Sequence, residues 1–169
     1  MTRLLGIDLG ERRIGLAVAD DDGGRAIAIA TLRRARSPEA DAAALLDVVR
    51  ARDIGELVVG LPLDMSGAEG PQALLTRAWV EAVQPQIRLP VTLRDERLTS
   101  YLAEQRVGPM KRGRSGGAPS ASQRQAYRAR IDREAAAIIL QDELDARATE
   151  GTPHDPPTAD AAPRTETTG

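Results

Sequence analysis

Four acidic residues stand where carboxylates could do chemistry. Asp8 lies between Ile7 and Leu9 in a short apolar run, Asp95 and Glu96 follow another apolar run, and Asp132 opens an almost wholly apolar block. An ionised carboxylate in an apolar strand is expensive unless a cation or hydrogen bonds compensate it, which singles out Asp8. The chain has no Cys and one His, His154, in a polar stretch near its end. That composition excludes a Cys nucleophile, a CxxC redox pair, a thiolate zinc site and an Fe–S cluster. If Asp8, one of the Asp95 and Glu96 pair, and Asp132 converge, they form the all-oxygen site that Mg²⁺ or Mn²⁺ prefers. Two such ions about 3.5–4 Å apart activate water and stabilise the leaving oxygen in phosphodiester hydrolysis. Plainer roles compete: a turn bond before Gly10 for Asp8, a solvated acidic turn between Arg94 and Arg97, and a helix N-terminal acid at Asp132.

The charge distribution adds a partner for such a site. The formal net charge is −2, yet Arg106, Lys111, Arg112, Arg114, Arg124, Arg128 and Arg130 make 106–130 wholly basic, leaving the rest of the chain at −9. Guanidinium groups there could hold phosphate strands beside an otherwise repulsive acidic centre, with strongly salt-dependent binding. A solvated, solubilising loop is the plainer reading of the same charges. The aromatic residues are Trp79, Tyr101 and Tyr127, too few for a face that stacks several bases.

The elements that must position these residues follow from periodicity and turn signals. Leu4 to Leu9, Ile14 to Ala19 and Arg25 to Leu32 read as three strands of an antiparallel meander, with turns at 10–13 and 20–24. Ser37-Pro38-Glu39 is a helix start, and that helix runs to about Arg52. Glu56 to Leu61 is a strand, Asp64 to Gly70 a loop, Pro71 to about Val83 a helix with Trp79 in its core stripe, and Pro90 to Leu93 a strand. Thr99 is expected to cap a short helix through about Arg106, followed by a mobile loop over 108–122. A last helix starts at about Gln123 or Ile131 and ends at Ala146.

The order βββαβαβαα predicts an α/β domain over 1–146, a mixed five-stranded sheet with helices on both faces, followed by a disordered polar tail over 147–169. Ligands in such sheets gather at the carboxyl ends of the parallel strands, here Leu9, Leu61 and Glu96. A loop shaped by Gly10, Gly60, Pro62 and Gly67 is expected at that edge, and Gly6 is expected to leave the face of Asp8 open to a substrate. Neither a signal peptide nor a run of about 20 apolar residues is present, so the expected location is cytoplasmic, away from membranes.

Taken together and in order, Gly6-Ile7-Asp8-Leu9-Gly10, Arg13-Ile14-Gly15, Val58 to Pro62, Asp95-Glu96-Arg97-Leu98-Thr99 and Ile131-Asp132 with Ala135-Ala136 resemble the YqgF/RuvX family, over residues 3 to 146. That family is described as pre-16S rRNA nuclease and Holliday junction resolvase-like. The resemblance implies a ribonuclease H-like fold, a bacterial cytoplasmic location and a Mg²⁺- or Mn²⁺-dependent endonuclease. Its implied substrate is structured RNA, the 5′ end of the 16S rRNA precursor in the assembling small ribosomal subunit. Carried over residue by residue, the catalytic and metal-binding acids are Asp8, Glu96 and Asp132, with Asp95 a further candidate ligand. The charge run itself supplies the expected nucleic-acid contacts, Arg106, Lys111, Arg112, Arg114, Arg124 and Arg128. Branched DNA is the competing substrate, and a non-catalytic nucleic-acid or transcription-complex binder the competing class. Monomer and dimer both stay open, because no apolar stripe marks an interface. The Asp8-Leu9-Gly10 turn also resembles the phosphate loop of sugar kinase, Hsp70 and actin ATPases, which need about twice a single domain of this size.

Overall fold

In the computed structural model, which describes residues 1–113 and 115–151, the first three strands form the expected meander. Strand β1 (Arg3–Leu9) pairs antiparallel with β2 (Arg13–Asp20), and β2 pairs antiparallel with β3 (Ile27–Arg33). Gly10 closes the first turn, its N–H donating to the Arg13 carbonyl at 2.8 Å. Helix α1 (Pro38–Arg52) begins at Ser37, whose hydroxyl accepts from the Ala40 N–H, with Pro38 in the first turn where no N–H is needed.

Strand β4 (Glu56–Leu61) then lies parallel to β1, and β5 (Val91–Asp95), reached through α2 (Pro71–Ile87), lies parallel to β4. The sheet order is β3-β2-β1-β4-β5, so the carboxyl ends of β1, β4 and β5 open on one edge. Helices α3 (Thr99–Val107) and α4 (Ala121–Glu150) complete the chain.

Alternation along the strands builds two cores. Leu5, Ile7, Leu57 and Val59 face α1 and α2, with Trp79 and Val83 packed on them. Leu4, Ala17 and Val58 face the opposite way and pack on Ala136, Ile139 and Leu140 of α4. The apolar block 135–140 of α4 is buried all round because α3 covers its other side, where Ala103 meets Ala135 and Ile138. Asp41, only 1% exposed, is the buried charge of the α1/α2 side. It accepts from Arg34 Nε at 2.8 Å, the Ala35 N–H at 2.7 Å and Trp79 Nε1 at 3.0 Å, which satisfies the carboxylate and ties three segments together.

Four boundaries differ from expectation. Helix α4 starts at Ala121, because Ser120 and Gln123 form a reciprocal capping box. Helix α2 continues past Val83 through Pro85 to Ile87 and stops at Arg88, which adopts φ 58°. Thr99 is not a cap: it is the first helical residue, and Leu98 in the left-handed region, φ 64°, occupies the cap position with no side-chain bond. Residues 147–150, expected in a tail, form the last turn of α4, where Arg147 binds Glu143 at 2.8 Å and Glu56 of β4 at 2.5 Å. The rest of that expected tail, 152–169, lies outside the described residues. Among the described residues no helix is long and apolar enough to cross a membrane.

Candidate active site

Asp8 sits one residue before the end of β1, on the strand face turned toward α4, with Gly15 as its partner on β2. Glu96 follows β5 directly, held there by its N–H to the Leu61 carbonyl at 3.2 Å and by its own carbonyl, which accepts from the Thr99 N–H at 3.0 Å. The tight turn that makes the second bond requires Leu98 to take its left-handed backbone, a conformation costing about 1–2 kcal/mol for a residue with a Cβ. Asp132 comes from the first half of α4.

Three glycines let these parts meet. A Cβ on Gly15 would collide with the backbone of Asp132, and one on Gly60 would collide with the Glu96 carboxylate and Ile139. A Cβ on Gly6 would lie 2.8 Å from the Ala136 carbonyl and from Leu140. The space above Gly6 is therefore filled by α4 itself, contrary to the expectation that a substrate would enter there. Its purpose is to bring the helix carrying Asp132 onto the sheet.

Asp8 and Glu96 are a buried carboxyl pair. Burial, then the charge of Asp132, pushes Asp8 up to about 7, and burial, then the charge of Asp8, pushes Glu96 up to about 9. The pair as a unit therefore holds on to protons well above the pH at which free carboxyls lose them. One carboxyl oxygen of Glu96, Oε2, is buried with no hydrogen-bond partner. Asp132 is close enough to act on Asp8 but is bonded to Arg13, Nε to Oδ2 at 2.5 Å. As the side chains stand, no three acidic or histidine groups among the described residues are grouped to hold one ion.

Asp95 is drawn the other way. Burial opposes its ionisation, but two hydrogen bonds from Arg97, at 3.0 Å from N–H and 2.7 Å from Nε, hold it below the ordinary carboxylate range. In the surrounding loop, Asp64 accepts from the Ser66 and Ala68 N–H groups, and Gly67 turns at φ 86° beside the Arg97 guanidinium. Pro62 is half-buried just past β4, and Gly10 presents its carbonyl to Arg34.

Of the expected basic contacts, Arg106 stands 4.0 Å from Glu134, and Lys111 and Arg112 are exposed in the loop before α4. Arg124 and Arg128 face a cavity shared with Arg12, Arg13 and Arg33 of the meander. Arg114 lies outside the described residues. The three meander arginines were not found from sequence: the signal is the strand register, which sets Arg13 opposite Arg33.

Residues 2–146 match the family model RuvX, described as Holliday junction resolvase. The chain belongs to the RuvX family. Family relatives carry a consistent name. A protein of Anaeromyxobacter dehalogenans named "Putative pre-16S rRNA nuclease" is 44% identical over 86% of this chain and 98% of its own length. One of Chloroflexus aurantiacus with the same name is 41% identical over 85% of this chain and 87% of its own length. Among solved structures, T. thermophilus RuvC in complex with a Holliday junction substrate is 16% identical. It superposes with a TM-score of 0.50 over 88% of this chain and 97% of that one. RuvC shares the fold, and the ribonuclease H-like sheet read from the sequence is the one observed.

Proposed function

We propose that this RuvX-family chain is an endonuclease that hydrolyses phosphodiester bonds of structured RNA, at the 5′ end of the 16S rRNA precursor, with Asp8, Glu96 and Asp132 as its catalytic acids. The observation that carries this reading is the buried Asp8 and Glu96 pair at the carboxyl ends of β1 and β5. Two carboxyls forced together out of water are costly, and an active centre is where such a cost is retained. The names of the relatives supply the substrate class.

The pair fits a divalent cation: its donors are all oxygen, and the unpartnered Glu96 Oε2 is an acceptor that protein groups leave unsatisfied. Asp8 and Glu96 would hold Mg²⁺ or Mn²⁺, with Asp132 as the third ligand once it leaves Arg13. A cation bound there supplies water activation and neutralises charge at the scissile phosphate. Asp95, committed to Arg97, orders the turn that presents Glu96. The basic residues along 106–130 would attract the polyanion to an otherwise acidic edge. The chain would act in the cytoplasm, where the assembling small ribosomal subunit offers this substrate.

The test is cleavage of a 16S precursor 5′ fragment beside a synthetic four-way DNA junction, with Mg²⁺ or Mn²⁺. Cutting of the RNA fragment with the junction left intact is expected. Cutting of the junction alone would replace the RNA reading with a junction-resolving one, and no cutting of either would favour a binding protein.

A further inference from the structure

The cavity of about 590 Å³ between the β2/β3 end and the first half of α4 is lined by neither Asp8 nor Glu96, and its charged residues are all of one sign. Arg12, Arg13 and Arg33 line it from the sheet, and Arg124 and Arg128 from the helix, with no acidic residue in its wall. Arg12, Arg33, Arg124 and Arg128 are exposed, and among the described residues none of the four is in an ion pair. Arg13 and Arg33 are direct antiparallel partners, an arrangement that like charges disfavour. Asp132 compensates Arg13, and among the described residues no carboxylate compensates Arg33. The floor is firm: Thr31 Oγ1 donates to the Ala129 carbonyl at 2.6 Å, pinning β3 to α4.

We propose that this five-arginine groove is a binding track for the phosphodiester backbone of the nucleic acid, leading it from the β3 edge toward the acidic centre. The inference rests on the nuclease reading for the identity of its ligand. Guanidinium forks facing one open cleft match a row of phosphates. Without an aromatic residue in its wall, the groove grips backbone and leaves bases unread. Arg13 joins the two sites, because it lines the groove and binds Asp132. The track joins meander residues to Arg124 and Arg128, which lie 91 or more positions later in the sequence.

The test is binding of the wild-type chain to a labelled 16S precursor 5′ fragment in EDTA, followed by fluorescence anisotropy across a salt series. Omitting divalent ions separates binding from cleavage, so the track and the nuclease reading fail independently. Arg33→Ala/Arg128→Ala should weaken binding by about tenfold or more and flatten the slope of log K against log salt by about 1.4–1.8, that is about 0.7–0.9 for each phosphate no longer neutralised. Arg33→Lys/Arg128→Lys, which keeps both charges, should restore most of the slope, and Arg50→Ala on α1, across the sheet, should leave it unchanged. Unchanged affinity and slope in the double alanine variant, with an unaltered melting temperature, would overturn the track. An equal loss in Arg50→Ala would overturn it too, by showing that only overall charge matters.

Discussion

Arg13 donates from Nε to Asp132 Oδ2 at 2.5 Å, joining residues 119 apart in sequence at the mouth of the acidic site. The guanidinium neutralises the carboxylate whose charge bears on Asp8. Arg13→Ala should lower stability by about 1–3 kcal/mol without divalent ions, since a half-buried carboxylate loses a charged hydrogen bond. Saturating Mg²⁺ should recover much of that loss by supplying the missing positive charge. Urea unfolding with and without Mg²⁺ reads both, and an identical loss in the two conditions would contradict the arrangement.

The buried pair makes a pH prediction of definite sign. Asp8 and Glu96 titrate higher in the folded chain, near 7 and 9, than free carboxylates do, near 4. The folded state therefore binds more protons than the unfolded one across this range. Their contribution to stability is full below about pH 4 and is lost as pH rises through about 7 and then about 9. Asp8→Asn should flatten that decline, and added Mg²⁺ should raise the melting temperature more at pH 8 than at pH 6. A melting temperature that climbs with pH over this window in the metal-free wild type would contradict the burial of the pair.

Close approach at Gly15 and Gly60 has a direct consequence. Gly15→Ala would drive a methyl group into the Asp132 backbone, and Gly60→Ala into Glu96 and Ile139. Each should cost about 1–3 kcal/mol through overpacking and should reduce cleavage by displacing an acidic side chain. Gly23→Ala makes no such contact within 4 Å and, despite its φ of 98°, should spare cleavage while costing some stability. Equal cleavage by all three variants would show that the glycines do not set the site.

On the other side of the sheet, Asp41→Ala should destabilise the chain by about 3–5 kcal/mol, because it strands Arg34 and leaves Trp79 Nε1 without its acceptor. Chemical denaturation measures this directly. A change below about 1 kcal/mol would mean the network is dispensable.

Much of this architecture is local and therefore legible in sequence. Strand alternation, the Ser37-Pro38 start and the apolar block 135–140 each identify an element from neighbouring residues alone. Asp8 is legible as a charge in an apolar strand. What escapes is nonlocal or backbone-determined. Gly6 reads as open space until α4 is known to fill it, and Leu98 carries no hint of its left-handed turn. Arg13 and Arg33 become neighbours only through the β2/β3 register, and Arg147 joins Glu56 only because α4 runs back along the sheet. The Ser120 and Gln123 capping box was the exception, a local signal sufficient to start α4 at Ala121.

In the proposed reaction the Asp8 and Glu96 pair performs the hydrolysis. Single-turnover cleavage of the 16S precursor 5′ fragment should be compared for wild type, Asp8→Asn and Glu96→Gln, each verified as folded. Both variants should lose cleavage by about a hundredfold or more while binding the RNA as wild type does in EDTA. Wild-type cleavage rates in a contaminant-free Asp8→Asn preparation would exclude Asp8 from the hydrolysis.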